Sequence, residues 1–237
     1  MATFINITNE LLRRMNEVQI DSADFATVKN VQSLAKDAIN SSIREILQDS
    51  QEWPFTFVTY QQTMAIGTGV YSFPSDYSKA DWDTFYLTTT SNTSPRHLKS
   101  LSYESYLKYR RADDDAAGAN GYSTTLNVYK TQENKFGVTP IPDKEYVIEY
   151  RYWKFPADLT LSTDVCIVPD RFKHVVIDGA MMYMMHFRSN EQSAQIHAAK
   201  FEDGIKIMRR LVVDSLDYLS STAILSSSSK TFSTRAF

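Results

Sequence analysis

Cysteine is nearly absent: Cys166 is the one thiol in 237 residues. No disulfide can form within the chain, so covalent staples contribute nothing to its stability. Glycine is scarce too, with seven residues. That argues against the glycine-rich loops that cradle phosphates, and no G-x-x-x-x-G-K, G-x-S-x-G or H-E-x-x-H occurs. No apolar run approaches the ~18 residues that would cross a membrane. The residues after Met1, "ATFINITNELLRR", are too polar and mixed for a secretory signal. Folding in a cytoplasm is therefore expected. Basic excess is also missing. The net charge is -3, whereas dedicated nucleic-acid binders carry a strong basic bias.

What is present is ordinary for a folded domain: 43% hydrophobic and 22% charged residues, enough for a sizeable core. Fourteen tyrosines and thirteen phenylalanines are the conspicuous surplus. Tyrosine is enriched in contacts between proteins, and it also alternates along strands.

Apolar spacing of three and four predicts a first helix carrying Phe4, Ile7, Leu11, Met15 and Val18, with Thr3 as N-cap. After "DSAD", a second helix is expected over 24–49. Its buried stripe is Val28, Val31, Ala35, Ala38, Ile39, Ser42, Ile43 and Ile46, and Arg44, Glu45 and Gln48 lie on its outer face. "WPF" at 53–55 ends it, because proline expels its predecessor from helical geometry. The period then falls to two. "FTFVTYQQTM", "VYSFP", "DTFYLTT", "TLNVYK", "KFGVTPIP" and "YVIEYRYWKF" read as strands. A short helix capped by Ser102 and an acidic loop, "DDDAAGANG", interrupt them. At "VPDRFKH" the helical period returns, with Phe172, Val176, Gly179, Ala180, Tyr183 and Phe187 on one face. "SNEQ" reads as a capping box on Ser189. It opens a last helix with Ala194, Ala198, Phe201, Ile205, Met208 and Val212 as its stripe.

The expected fold is therefore α+β. Helix pairs from both ends of the chain, 1–52 and 167–225, form a four-helix bundle. A mostly antiparallel β domain, 53–166, is inserted between them, and 226–237 is an extended C-terminal tail. That tail, "SSSSKTFSTRAF", carries Lys230, Phe232, Arg235 and Phe237 and no acid.

Signs of chemistry are weak. "AMMYMMHFR" offers soft ligands, but on a helix they do not converge, and methionine commonly fills irregular cores. No two of His97, His174, His186 and His197 have the i,i+4 spacing of a helical zinc site. "DDD" at 113–115 lacks the spaced ligands of a calcium loop. No catalytic, metal or cofactor site is expected. "RYWKF" at 151–155 interleaves cations and aromatics as single-strand binders do. Simple strand alternation accounts for it, with Arg151, Trp153 and Phe155 on one face and Tyr152 and Lys154 on the other.

The order of pieces carries a resemblance. "LLRRMNEVQ", "FATVKNVQSLAKDAINSSIREILQDSQEWPF", "GVYSFPSDY" and "VPDRFKHVVIDGAMMYMMHF" closely resemble the head-to-tail adaptor proteins of short-tailed bacteriophages, the tail tubular A-like or gatekeeper-ring proteins. The likeness runs from about Thr3 to Val213. It implies a structural virion protein rather than an enzyme, assembled in the host cytoplasm and placed at the head–tail interface. Such proteins form a homo-oligomeric ring, a dodecamer, beneath the portal protein. They continue the DNA channel without binding DNA specifically and dock the tail nozzle protein and, in some relatives, tail fibres. No membrane or cofactor is implied. The family commonly sends a C-terminal extension into the portal. Here that segment is 226–237, with Phe232 and Phe237 as apolar anchors and Lys230 and Arg235 as cationic contacts.

Two rival expectations come from other classes. A carbohydrate- or receptor-binding virion protein would use the aromatic β domain, with Trp82 and Tyr86 as candidates. A hydrolase would use Cys166 and His174 as nucleophile and base.

Overall fold

The computed structural model describes residues 2–49, 52–88, 95–112, 114, 121–131 and 134–212. The chain divides into two compact units. One is drawn from Met1–Pro54 with Leu159–Phe237, and the other from Phe55–Asp158. Among the described residues there are five α-helices and two sheets, an α+β fold.

The first unit is helical. In α1, Phe4–Arg14, the residues Phe4, Ile7, Leu11 and Leu12 are buried. The helix stops short of Val18 because Asn16 takes a φ of 58°. Val18 is left 77% exposed, while Ile20 and Phe25 are buried instead. Thr3 sits at the N-cap without a side-chain bond. The first amides are satisfied by distant backbone: Phe4 N–H donates to the Asp164 carbonyl and Ile5 N–H to that of Ser162. Thr3 and Val165 form an antiparallel bridge beside them. An orphan helix end needs acceptors from somewhere, and here the returning chain supplies them.

Helix α2, Val31–Gln48, begins later than its apolar spacing suggests. Residues 22–27 make turns, and Asn30 has a φ of 55°. Its Ala35, Ala38, Ile39, Ser42, Ile43 and Ile46 are buried as the spacing predicts. The Ser42 hydroxyl donates to the Val176 carbonyl at 2.9 Å. A 3₁₀ turn at Asp170–Phe172 leads into a helix over Lys173–Phe187, followed by another over Glu191–Val212. Once α3 of the second unit is counted, these two are α4 and α5. Helix α4 buries Val175, Val176, Ile177, Gly179, Ala180, Met181 and Met184 on several sides. Two of the methionines thus serve as core filler. Tyr183 and Phe187, expected on the buried stripe, are 36% and 59% exposed. Asn190, not Ser189, caps α5: its Oδ1 accepts from Ser193 N–H at 3.2 Å. Ser189 takes a φ of 56° and closes α4.

The second unit holds β1 (Phe57–Met64), β2 (Val70–Ser72), β3 (Tyr77–Thr88), β4 (Arg96–His97), β5 (Lys99–Leu101), α3 (Tyr103–Tyr109), β6 (Asn127–Lys130), β7 (Lys135–Thr139) and β8 (Tyr146–Lys154). The strands form sheets of order β1-β8-β3-β4 and β2-β7-β6-β5. All pairs are antiparallel except β5 with β6. The two sheets share one core, in which Phe73, Phe85, Phe136, Tyr146, Ile148, Tyr150 and Tyr152 meet. Ser102 caps α3 as expected, accepting from Ser105 N–H. The strands at 96–97 and 99–101 are too short to leave a period-two signal.

Candidate functional site

Lys230, Phe232, Arg235 and Phe237 lie outside the described residues. Three surfaces within the described residues can carry contacts.

The first is a groove of about 390 Å³ between the C-terminal half of α2 and the middle of α5. Phe201 and Ile205 are buried at its floor. Glu45, Gln48 and Asp49 border it from α2, and Glu202, Lys206 and Arg209 from α5. Two of these cations are already engaged. Arg209 forks onto the Asp49 carboxylate, with Nε donating at 3.0 Å, and Lys206 pairs with Asp203 at 3.0 Å. Glu45 accepts a hydrogen bond from the Tyr183 hydroxyl at 2.8 Å. Burial, and then this carboxylate, push the Tyr183 phenol up to about 12. The Arg44 cation acts on the same phenol in the opposite sense, and Glu202 stands exposed on the opposite rim. The groove is therefore apolar below and carries charges of both signs at its edges. Sequence spacing already puts Glu45 and Gln48 on the outer face of their helix. Nothing in the sequence says that α5 closes a groove against them.

The second surface is the outer face of the β1-β8-β3-β4 sheet. Register aligns Phe57, Trp153 and Lys79 in one row and Thr59, Arg151 and Asp81 in the next. The Phe57 and Trp153 rings lie 4.5 Å apart. The Arg151 guanidinium sits 5.0 Å from the Phe57 ring, and Lys79 Nζ sits 5.5 Å from the Trp153 ring. Arg151 and Trp153 do share a face, as alternation predicts. Tyr152 points the other way, buried, with its hydroxyl donating to Asp76 at 2.8 Å. The rings stack on each other and take their cations from the same sheet, which is a self-satisfied patch rather than an open stacking platform.

The third surface is an edge. Strands β2, β4 and β5 end their sheets with two or three residues each, but β1 is an edge of eight residues. It carries no lysine or proline, the usual devices that blunt an edge. Thr59, Tyr60, Gln61 and Thr63 are exposed along it.

The rival sites do not assemble. Trp82 stacks on Phe85 at 5.3 Å and meets the edge of Phe73. A register shift between Asp81 and Tyr86 then leaves Tyr86 exposed between buried Phe85 and Leu87. The two residues occupy opposite faces of β3 and make no joint sugar platform. Cys166 is buried, and its thiol is pushed up to about 11 by that burial. An activated cysteine needs the opposite shift. His174 is exposed. Asp113 and Asp115 of the acidic run lie outside the described residues. Among the described residues no group of three or more His, Cys, Asp or Glu is placed to hold a metal, and no helix is long and apolar enough to cross a membrane.

What the described residues display is contact surface: an unblunted β1 edge in one unit and an apolar groove in the other. None of the curated proteins matches the chain. The family model described as SU10 adaptor protein matches residues 2–224, a span that takes in every helix and strand described above. The chain belongs to the SU10 adaptor protein family.

Proposed function

We propose that this protein is the head-to-tail adaptor of a short-tailed bacteriophage. It forms a ring, a dodecamer, that joins the capsid portal to the tail nozzle and continues the DNA channel. The family match over 2–224 carries this reading. A closed ring needs two different sticky faces on each subunit, and the open β1 edge and the groove between α2 and α5 are two such surfaces of unlike chemistry. In this reading α1, α2, α4 and α5 are the four-helix bundle, and the β unit is the insertion between its halves. The mild net charge of -3 suits a channel that lets DNA pass, since phosphate contacts dominate affinity for DNA. The role is structural rather than enzymatic, within the virion, with tail fibres as a further partner.

The tail 226–237 docks on the portal through Lys230, Phe232, Arg235 and Phe237. Electron microscopy of the protein mixed with its portal tests the ring. Co-sedimentation with portal rings after deletion of 226–237 tests the tail. Loss of binding with an unchanged circular dichroism spectrum is expected, and undiminished co-sedimentation would remove the tail from the reading.

A further inference from the structure

We propose that β1 is a self-pairing edge, and that two copies of the chain join through it as antiparallel strands about a two-fold axis. The backbone shows which groups are on offer. Arg151 N–H donates to the Thr84 hydroxyl of β3 at 3.0 Å, so its amide is turned away from β1. In an antiparallel ladder a residue's N–H and C=O point to the same side, and bonded and unbonded pairs alternate. Thr59 faces Arg151 in an unbroken register, so it turns its own N–H and C=O outward. Phe57, Gln61 and Thr63 do the same by alternation. These groups line an edge that has no lysine or proline, which is a template for another strand.

The side chains select a second copy as the occupant. β1 reads FVTYQQTM and has no charge, so laying it against itself opposes no like charges. Facing residues must share a sheet face, and the outward-turned residues must pair among themselves. Centring the axis on Gln61 satisfies both. It puts Thr59 opposite Thr63 of the second copy and Gln61 opposite Gln61, all on the outer face. Threonine pairs across strands are favourable. Each Gln61 amide donates to its own Glu149 at 2.5 Å, and its second amide hydrogen and its Oε1 face the Gln61 opposite.

The inner face fixes the same register. Tyr60 and Gln62 point inward with Tyr150, which faces Tyr60 across the ladder and lies in the core. Gln62 Oε1 is buried without a hydrogen-bond partner among the described residues, a state that costs stability until a donor arrives. Tyr60 is 39% exposed. Centring on Gln61 sets Tyr60 opposite Gln62 of the second copy as a non-hydrogen-bonded pair, in which side chains approach most closely. Each phenol then supplies the donor that the other copy's Gln62 lacks, and its ring is covered. Centring on Tyr60 would instead set Gln62 against Val58, which offers no donor. The pair stands on these residues alone. In the adaptor reading it has a consequence: neighbours in a cyclic ring meet head to tail, so the self-paired edge must open before the ring closes.

The test uses the full chain. Sedimentation equilibrium should show monomer and dimer in exchange with a Kd in the micromolar range, since one strand pair is a small interface. Gln61→Pro removes an outward N–H without touching the β1–β8 ladder and should weaken the dimer roughly tenfold or more. Gln61→Lys sets like charges face to face and should weaken it roughly three- to fivefold. Circular dichroism should be unchanged in both. Oxidation reads the register, because the native thiol of Cys166 is buried. Gln61→Cys should give a covalent dimer. Thr59→Cys alone should not, since its Cα atoms would stand about 14 Å apart, but Thr59→Cys mixed with Thr63→Cys should. A chain that stays monomeric at about 100 μM, a dimer indifferent to both Gln61 variants, or equal oxidation of Gln61→Cys and Thr59→Cys would each overturn the proposal. A chain that is monomeric when free yet forms rings on portal would sink the pair alone. A self-paired chain that never forms rings would sink the adaptor reading and leave the pair standing.

Discussion

Asn40 and Leu159 exchange two hydrogen bonds. The Asn40 amide donates to the Leu159 carbonyl and its Oδ1 accepts from Leu159 N–H, both at 3.0 Å. A side chain thus pairs with a whole backbone residue, as a neighbouring strand would. Leu159 is the residue at which the chain returns to the helical unit. Asn9 holds Ile20 in the same way, at 2.9 and 2.8 Å.

Replacing Asn40 by Asp keeps the shape and the acceptor but turns the donor into an anion facing a carbonyl. Asn40→Asp should cost about 1–3 kcal/mol, the penalty for breaking one partner of a part-buried polar pair. Urea unfolding at pH 7 measures it. The mutant carboxyl is better accommodated when protonated, so its folded pKa is raised above the unfolded value of about 4, and the gap to the parent should narrow as pH falls from 7 toward about 4 and level off below it. An Asn40→Asp protein as stable as the parent at pH 7 would show that the clamp contributes nothing.

Gly179 is a point of closest approach between α4 and its neighbours. A methyl there would stand 2.3 Å from Ser42 Oγ and 2.7 Å from a Phe201 ring carbon. Alanine should gain about 1 kcal/mol of helix propensity and lose about 1–3 kcal/mol to overpacking. Overpacking wins because the Ser42 hydroxyl must also leave the Val176 carbonyl. Gly179→Ala should therefore lower the urea midpoint without changing the slope. Gly69→Ala, whose methyl would meet Ile141 at an ordinary 3.4 Å, is the control and should be close to neutral. Equal effects at the two sites would count against a packing explanation.

The order of elements and the buried stripes of α2 and α5 were legible in the sequence because they rest on local periodicity. Ala35, Ile39, Ile43 and Ile46, or Phe201, Ile205 and Met208, need only one helix to be recognised. Several features that differ depend on partners far along the chain, and others on local backbone. Thr3 holds the N-cap position of α1 without a side-chain bond, and the carbonyls of Asp164 and Ser162 accept from the first amides instead. Trp82 and Tyr86 look like same-face residues by spacing, and a register shift against β8 puts them on opposite sides. Asn16, Asn30 and Ser189 take positive φ, and each shifts a helix boundary that apolar spacing alone drew elsewhere. The groove is the clearest case. Its α2 rim was readable as an outer face, but its floor exists only once α5 lies alongside.

Helix α3 buries no residue of its own, so its attachment must be narrow. Tyr106 stacks on Tyr129 with ring centroids 3.8 Å apart at 14°. Tyr129 in turn fits the sheet because Gly137 has no side chain: a Cβ there would fall 2.1 Å from the Tyr129 ring. Tyr106→Ala should release α3 while leaving the sheets folded. The expected loss is about 1 kcal/mol, the worth of one aromatic pair. Hydrogen exchange at the Tyr106 and Arg110 amides, both bonded within this helix, should accelerate. Exchange in β8 should not. Acceleration in β8 as well would mean that the stack supports the whole unit.

Cys166 closes the argument about chemistry. Its thiol is pushed up to about 11, first by burial and then by the nearby Asp170, against a compensating backbone hydrogen bond at Val168. At pH 8 the thiolate fraction should be roughly a hundredfold below that of an ordinary cysteine, before any shielding is counted. Native protein should react far more slowly with Ellman's reagent than protein in urea. The sign for stability follows from the raised value. The neutral buried thiol contributes fully below about pH 9, and the contribution is lost as pH rises toward about 11. Cys166→Ala should thus be less stable than the parent at pH 7, with a gap that shrinks by pH 10.5. A native thiol that reacts as fast as the unfolded one would place Cys166 in an accessible, ionised setting and revive a nucleophilic role for it.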